Sequence, residues 1–240
     1  MLWRVSAQRQ LQSVIEQAAL DALFVTRWQA AGLRIRASRP RTTINRPDAP
    51  VLMLPGVYES PHFLDPLAAV IRPLGRPVYS VSALRRNRGR IADSAILVRD
   101  YLERLGLHNV TIIAHSKGGL IGKQLMVWPE TSERIASMIA IATPFAGSRY
   151  ARRAPGRVLR DFSPVDATVL SLAANRDANA RIISVFGPFD PQIPDGSQLA
   201  GARNVLLHTA GHFRPLGDRR LHHLLREVLV GELGTANETR

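Results

Sequence analysis

Across residues 6–31 apolar positions return every three or four residues, with Leu11, Val14, Ile15, Ala18, Ala22, Val25 and Trp28 on one stripe, which predicts a helix ending at Gly32. The spacing then breaks. Arg34, Arg36, Arg39, Arg41 and Arg46, with Pro40 and Pro47, form a basic connector that reads as a loop or an edge strand. From residue 50 onward short apolar runs alternate with helical stretches, the pattern of βαβ units and a parallel sheet. Strands are predicted at 50–54, 77–81, 110–114, 137–142, 181–186 and 204–208, and helices at 60–74, 91–105, 117–127, 164–174 and 219–230. The fold expected is a three-layer α/β domain, a mostly parallel sheet of about six strands with helices on both faces. Residues 1–49 then form an N-terminal helix and connector packed on the core, 50–233 the main domain, and 234–240 a polar frayed tail.

Composition narrows the chemistry. The 240 residues are 45% apolar, enough for one large domain or two small ones, and no apolar run approaches the 18 or so residues of a spanning helix. Cysteine is absent, which removes disulfides, thiol nucleophiles and thiolate metal sites and leaves serine, carboxylate or imidazole chemistry. Residues 1–10 lack a continuous apolar stretch, so the chain reads as neither exported nor membrane-spanning, and as cytoplasmic. The net charge of +13 invites a nucleic-acid reading, but 30 of the 32 basic residues are arginine, dispersed, and aromatics are only 6%. No platform for base stacking is present, which argues against nucleic acid; the arginine excess reads as coding bias on a solvated surface, with an anionic substrate or lipid surface as the functional alternative.

One segment stands out. The apolar run 110–114 leads directly into His115-Ser116-Lys117-Gly118-Gly119 and then into an apolar helix. A small-x-Ser-x-Gly element at a strand-to-helix turn holds its serine on a tight bend with the hydroxyl clear of the sheet. Small residues at Ala114 and Gly118 suit the close approach of neighbouring chain. A nucleophilic serine needs a base, an orienting carboxylate and donors for an oxyanion. Asp190 follows the strand at 181–186 in a proline-rich turn, and His212 follows the strand at 204–208. The Val57 amide, just after Gly56 at the end of the first strand, can face the same pocket as the Lys117 amide.

These elements resemble the α/β-hydrolase superfamily, and within it small bacterial lipases and esterases of the triacylglycerol-lipase type, over roughly residues 50–230. The resemblance rests on Leu54-Pro55-Gly56, the elbow Ala114-His115-Ser116-Lys117-Gly118-Gly119, the segment Ala142-Thr143-Pro144-Phe145-Ala146-Gly147-Ser148, and Asp190-Pro191-Gln192-Ile193-Pro194 with Gly211-His212. Pro55 departs from the His-Gly pair common at the oxyanion loop. The resemblance implies a serine carboxylic-ester hydrolase acting on a small acyl ester or lipid through Ser116, Asp190 and His212, with no cofactor. Residues 149–179 are too few for a large cap, so the pocket is expected to be shallow or covered by a single helix at 163–174.

Other readings stand beside these. Ser116 can be a plain helix N-cap, Asp190 a turn residue with Asp195 as rival, and His208, His222 and His223 compete with His212. His208 within its strand reads as a packed residue, His115 as a structural residue beneath the elbow, and His62 as surface or pocket lining. The seven histidines show no metal-ligand pattern, since His208 and His212 straddle a strand end without a carboxylate cluster. The same triad serves a thioesterase or amidase, and a catalytically silent hydrolase fold would be a binding module.

Overall fold

The computed structural model describes residues 2–37, 49–154 and 156–238; the connector from residue 38 to 48, with Arg39, Pro40, Arg41, Arg46 and Pro47, lies outside them. Among the described residues six strands, β1 (Val51–Leu54), β2 (Val78–Ser80), β3 (Val110–His115), β4 (Ile135–Ile141), β5 (Ile182–Phe186) and β6 (Arg203–Leu206), form one sheet in the order β2-β1-β3-β4-β5-β6. Every pairing is parallel. The strands at the centre bury both faces, which is why they read as apolar runs rather than alternating ones. The last strand, β6, is an exposed edge: Asn204 bonds back to the backbone of Leu199, and Leu206 faces outward.

Among the described residues eight helices surround the sheet: α1 (Leu2–Ala37), α2 (Asp65–Ile71), α3 (Ile91–Arg104), α4 (Lys117–Val127), α5 (Pro129–Ser132), α6 (Arg157–Arg160), α7 (Ala167–Ala174) and α8 (Arg219–Glu238). On one face α3 and α4, with α7, build a core around Val98, Leu102, Leu120 and Leu125. In α3 the buried Ile91, Ser94, Ala95, Val98 and Leu102 follow helical spacing, so one stripe packs and the other is solvated. On the opposite face α1, α2 and α8 contribute Trp28, Leu67, Leu221 and Leu225. No helix among the described residues is long and apolar enough to cross a membrane.

The structure corrects several boundaries. α1 does not stop at Gly32 but continues to Ala37, because Gly32 is a packing residue over Pro66 rather than a cap. Its inner face is also rotated: Ile15, Ala18 and Ala22 are exposed, while Asp21, Phe24 and Trp28 turn inward, because the helix docks on loops and on α2. The expected helix at 60–74 is a series of turns, then α2 with Pro66 in its first turn, then a 3-10 turn at Arg72–Leu74. At the far end helix continues to Glu238, past the expected start of a frayed tail.

Register sets the site. Leu54 pairs with Ala114, Ala114 with Ala140, Ile141 with Val185, and Phe186 with Leu206, so the carboxyl ends of five strands share one edge. Whatever follows those strands meets in one crevice.

Candidate active site

Ser116 joins β3 to α4 at φ 51°, ψ −119°, a conformation that costs a non-glycine residue on the order of 1–3 kcal/mol and survives only where the surroundings impose it. They do so here. The Ser116 amide donates to the Ile141 carbonyl at 2.9 Å, and its own carbonyl accepts from the Gly119 amide at 3.0 Å and the Thr143 hydroxyl at 3.1 Å. A side chain at Gly118 would fall on the Leu54 carbonyl, so the helix start reaches β1 only because no Cβ stands there. Ser116 occupies the N-cap position of α4, yet its hydroxyl makes no capping bond. It faces His212 instead, 3.0 Å from Nε2.

His212 Nδ1 donates to Asp190 Oδ2 at 2.7 Å. The other oxygen, Asp190 Oδ1, accepts from the amides of Gln192 at 2.7 Å and Ile193 at 3.1 Å. Burial alone would raise the Asp190 carboxyl, but the neighbouring His212 ring and those two amides outweigh it and hold Asp190 below the ordinary carboxylate value. Asp195 lies elsewhere: it grips Arg149, accepting from Nε at 2.7 Å and from the backbone amide at 3.0 Å. His222 Nε2 donates to the Leu216 carbonyl, while His223 is exposed. His208 is not packed in a strand, as its position suggested; β6 ends two residues earlier and the side chain is exposed. His62 pairs with Asp65 at 3.5 Å on a neighbouring rim. The described residues contain no group of three His, Cys, Asp or Glu arranged for a metal ion.

Ser116 and His212 open on a cavity of about 260 Å³, lined also by Val57, Pro144, Leu159, Phe162 and Ile193 and, among the described residues, by no permanently charged side chain. The covering chain is the 3-10 turn Arg149–Arg153, through Tyr150 and Ala151, and α6 through Leu159. The helix expected to cover the site, α7, packs on α4 instead, burying Val169 and Leu172, and starts at Ala167 behind the capping carboxylate of Asp166. Lys117 is fully buried. Its ammonium donates to the carbonyls of Asn87, at 3.0 Å, and Gly89, while Asn87 Nδ2 donates to the Pro55 carbonyl at 2.7 Å. Burial pushes that ammonium down to about 8, with Asp161 and Asp93 partly opposing.

Two carboxylates at the site had no signature in the chain's pattern. Asp21 reaches in from α1: its Oδ2 accepts from the His212 amide at 2.6 Å and its Oδ1 from the amides of Phe213 at 3.2 Å and Arg214 at 3.1 Å. Gly211, at φ 112°, lets the chain turn there, and a Cβ on it would lie 2.5 Å from Asp21 Oδ1. Glu59 accepts from His115 Nδ1 at 2.6 Å and from the Gly56 amide at 2.5 Å. The only cue for Asp21 is a lone acid in an otherwise apolar stretch, Ala18-Ala19-Leu20-Asp21-Ala22-Leu23. Asp21→Ala leaves the His212 amide buried without an acceptor, and urea unfolding is expected to show a loss of about 2 kcal/mol. Asp21→Asn, which keeps one acceptor oxygen, is expected to lose less.

No family model matches the chain, and no curated protein sequence does. Solved structures do. An extracellular α/β-hydrolase from a Paenibacillus species is 16% identical over 75% of this chain and 98% of its own, with a TM-score of 0.54. A monoacylglycerol lipase from Paleococcus ferrophilus is 16% identical over 75% of this chain and 93% of its own, at 0.55. A Bacillus licheniformis lipase in its mature form is 13% identical over 80% and 96% of the two chains, at 0.61. With the parallel six-stranded sheet, these likenesses establish an α/β-hydrolase fold.

Proposed function

Starting from an α/β-hydrolase fold shared with lipases and esterases, we propose that this chain is a serine carboxylic-ester hydrolase working through an acyl-enzyme on Ser116. The supporting observation is the continuous relay Ser116 Oγ, His212, Asp190 at 3.0 and 2.7 Å, opening on an uncharged cleft. Ser116 Oγ attacks the acyl carbonyl as His212 Nε2 takes the hydroxyl proton, and Asp190 fixes the Nδ1–H tautomer and balances the imidazolium. The amides of Lys117, at the start of α4, and of Val57, which also lines the cleft, hold the oxyanion, each contributing on the order of 3 kcal/mol in the transition state. His212 then returns the proton to the departing alcohol, and water, activated by the same base, releases the acid and restores Ser116. A neutral acyl group suits the wall of Leu159, Phe162 and Ile193. The test is hydrolysis of p-nitrophenyl esters of rising chain length beside a CoA thioester and an anilide. Preference for the esters supports the reading; preference for thioester or anilide replaces it with a thioesterase or amidase.

The partner surface belongs to the same proposal. Arg149, Arg152, Arg153, Arg157 and Arg160 are exposed on the covering segment whose Tyr150, Ala151 and Leu159 line the cleft. Arg149 is engaged by Asp195. An anionic lipid or headgroup is drawn to such a rim by forces screened over roughly 8–10 Å at physiological salt. Hydrolysis of a phosphatidylglycerol-type ester is therefore expected to slow as salt rises, while a neutral p-nitrophenyl ester shows no such fall. Arg152→Glu with Arg153→Glu is expected to flatten the first curve and leave the second alone; equal curves in the parent would remove the lipid-surface proposal.

A further inference from the structure

A second acid–imidazole pair lies behind the relay, and the chemistry above leaves it idle. His115 is completely buried, and its ring centroid is 4.9 Å from that of His212. Its Nδ1 is 2.6 Å from Glu59 Oε1, and its Nε2 is 3.1 Å from the main-chain carbonyl oxygen of His212. Glu59 holds the loop of Val57 through the Gly56 amide. The pair thus bridges the segment carrying one oxyanion donor to the segment carrying the base.

Proton counting identifies its state. A carbonyl only accepts, so His115 Nε2 carries a proton, and one more proton is shared between Nδ1 and Glu59. The ionisable groups facing His115 are Glu59 from the first loop, Asp190 from the β5 exit, and His212 from the β6 exit; Asp21 lies beyond the His212 amide. Three of the four are carboxylates; the Arg214 guanidinium, 3.7 Å from Asp21 Oδ1, offsets Asp21, and the negative charge of Glu59 in direct contact favours the second proton on the ring. We infer that His115, held as an imidazolium by Glu59, is a positioning residue that fixes the His212 loop against the Val57 loop, and that it does so only while doubly protonated. Burial works against a charge on His115, yet Glu59, the His212 carbonyl and Asp190 together raise its pKa above the ordinary histidine value. Once pH rises through that raised value the ring keeps one N–H for two acceptors, and either Glu59 or the His212 carbonyl loses its donor.

The inference rests on the ester-hydrolase reading for its kinetic arm and not for its spectroscopic one. In the parent protein, 15N-histidine NMR is expected to find both His115 nitrogens still protonated at a pH where a free imidazole has lost one proton. A single proton there overturns the inference, whether or not the protein hydrolyses any ester. Glu59→Gln removes the charge, and kcat on p-nitrophenyl butyrate is expected to fall about 10- to 100-fold with little change in KM, because only alignment is lost. Its alkaline limb is expected to move to lower pH, and Glu59→Asp, which restores the charge, to move it back. A folded Glu59→Gln variant with the parent's pH profile overturns the inference; should that variant not fold, the NMR result on the parent decides. Absence of ester hydrolysis in the parent would defeat the functional reading alone.

Discussion

Ser116→Ala is expected to lower kcat on p-nitrophenyl butyrate by about 10⁶-fold and to abolish labelling by a fluorophosphonate, while the circular dichroism spectrum is unchanged. The size follows from what is removed. Among the described residues no other hydroxyl takes up the position 3.0 Å from His212 Nε2, so on the proposed mechanism only the oxyanion donors and substrate binding would remain, and these do not make an acyl-enzyme. The fold is not at risk, because the bonds that impose the bend run through the Ser116 amide and carbonyl, which alanine retains. Alanine also accepts the same φ of 51° at a similar cost, so stability should be level or slightly improved. Persistent turnover and labelling in the variant would exclude Ser116 as the nucleophile and with it the mechanism proposed here.

How much of this was legible in the chain depends on how far each partner lies along it. The run 110–114 and the helix that follows are local patterns, fully apolar because both sheet faces are covered, and the bounds of α4 follow directly from them. Strand ends are nearly as local, which is why residues placed just past them meet at one edge. Asp21 and Glu59 are different. The bond from the His212 amide to Asp21 spans 191 residues, and that between His115 and Glu59 spans 56, so no periodicity or nearby spacing encodes them. The inward face of α1 departs from the expected stripe for the same reason: its hydrophobic stripe is weak, and a carboxylate satisfying three amides selects the inward side. The covering segment is not the helix expected, because α7 is apolar enough to pack on α4 and leaves the cleft to the 3-10 turn of Tyr150 and the short α6 of Leu159. His208 lies past the strand expected to hold it, because β6 is an exposed edge where few contacts define an end.

His212→Ala is expected to reduce kcat by about 10⁴- to 10⁶-fold, against changes within about twofold for His208→Ala and His223→Ala. The contrast comes from contacts. His212 is buried with both ring nitrogens engaged, one by Asp190 and one by Ser116, whereas His208 and His223 are exposed. His222 donates to the Leu216 carbonyl, so His222→Ala is expected to cost some stability and little rate. Asp190→Asn gives the intermediate case: the amide can present a donor to Nδ1, which favours the wrong tautomer, and kcat is expected to fall about 10⁴-fold. Because the Asp190 carboxyl is held below its ordinary value, the stability it contributes is complete above the unfolded carboxylate pKa and is lost as pH falls through the lower folded one. Acid unfolding of Asp190→Asn should therefore show a shallower dependence on pH than the parent in that range. If His208→Ala or His223→Ala were the crippled variant while His212→Ala turned over normally, the base would have to approach Ser116 from a side on which no imidazole now stands.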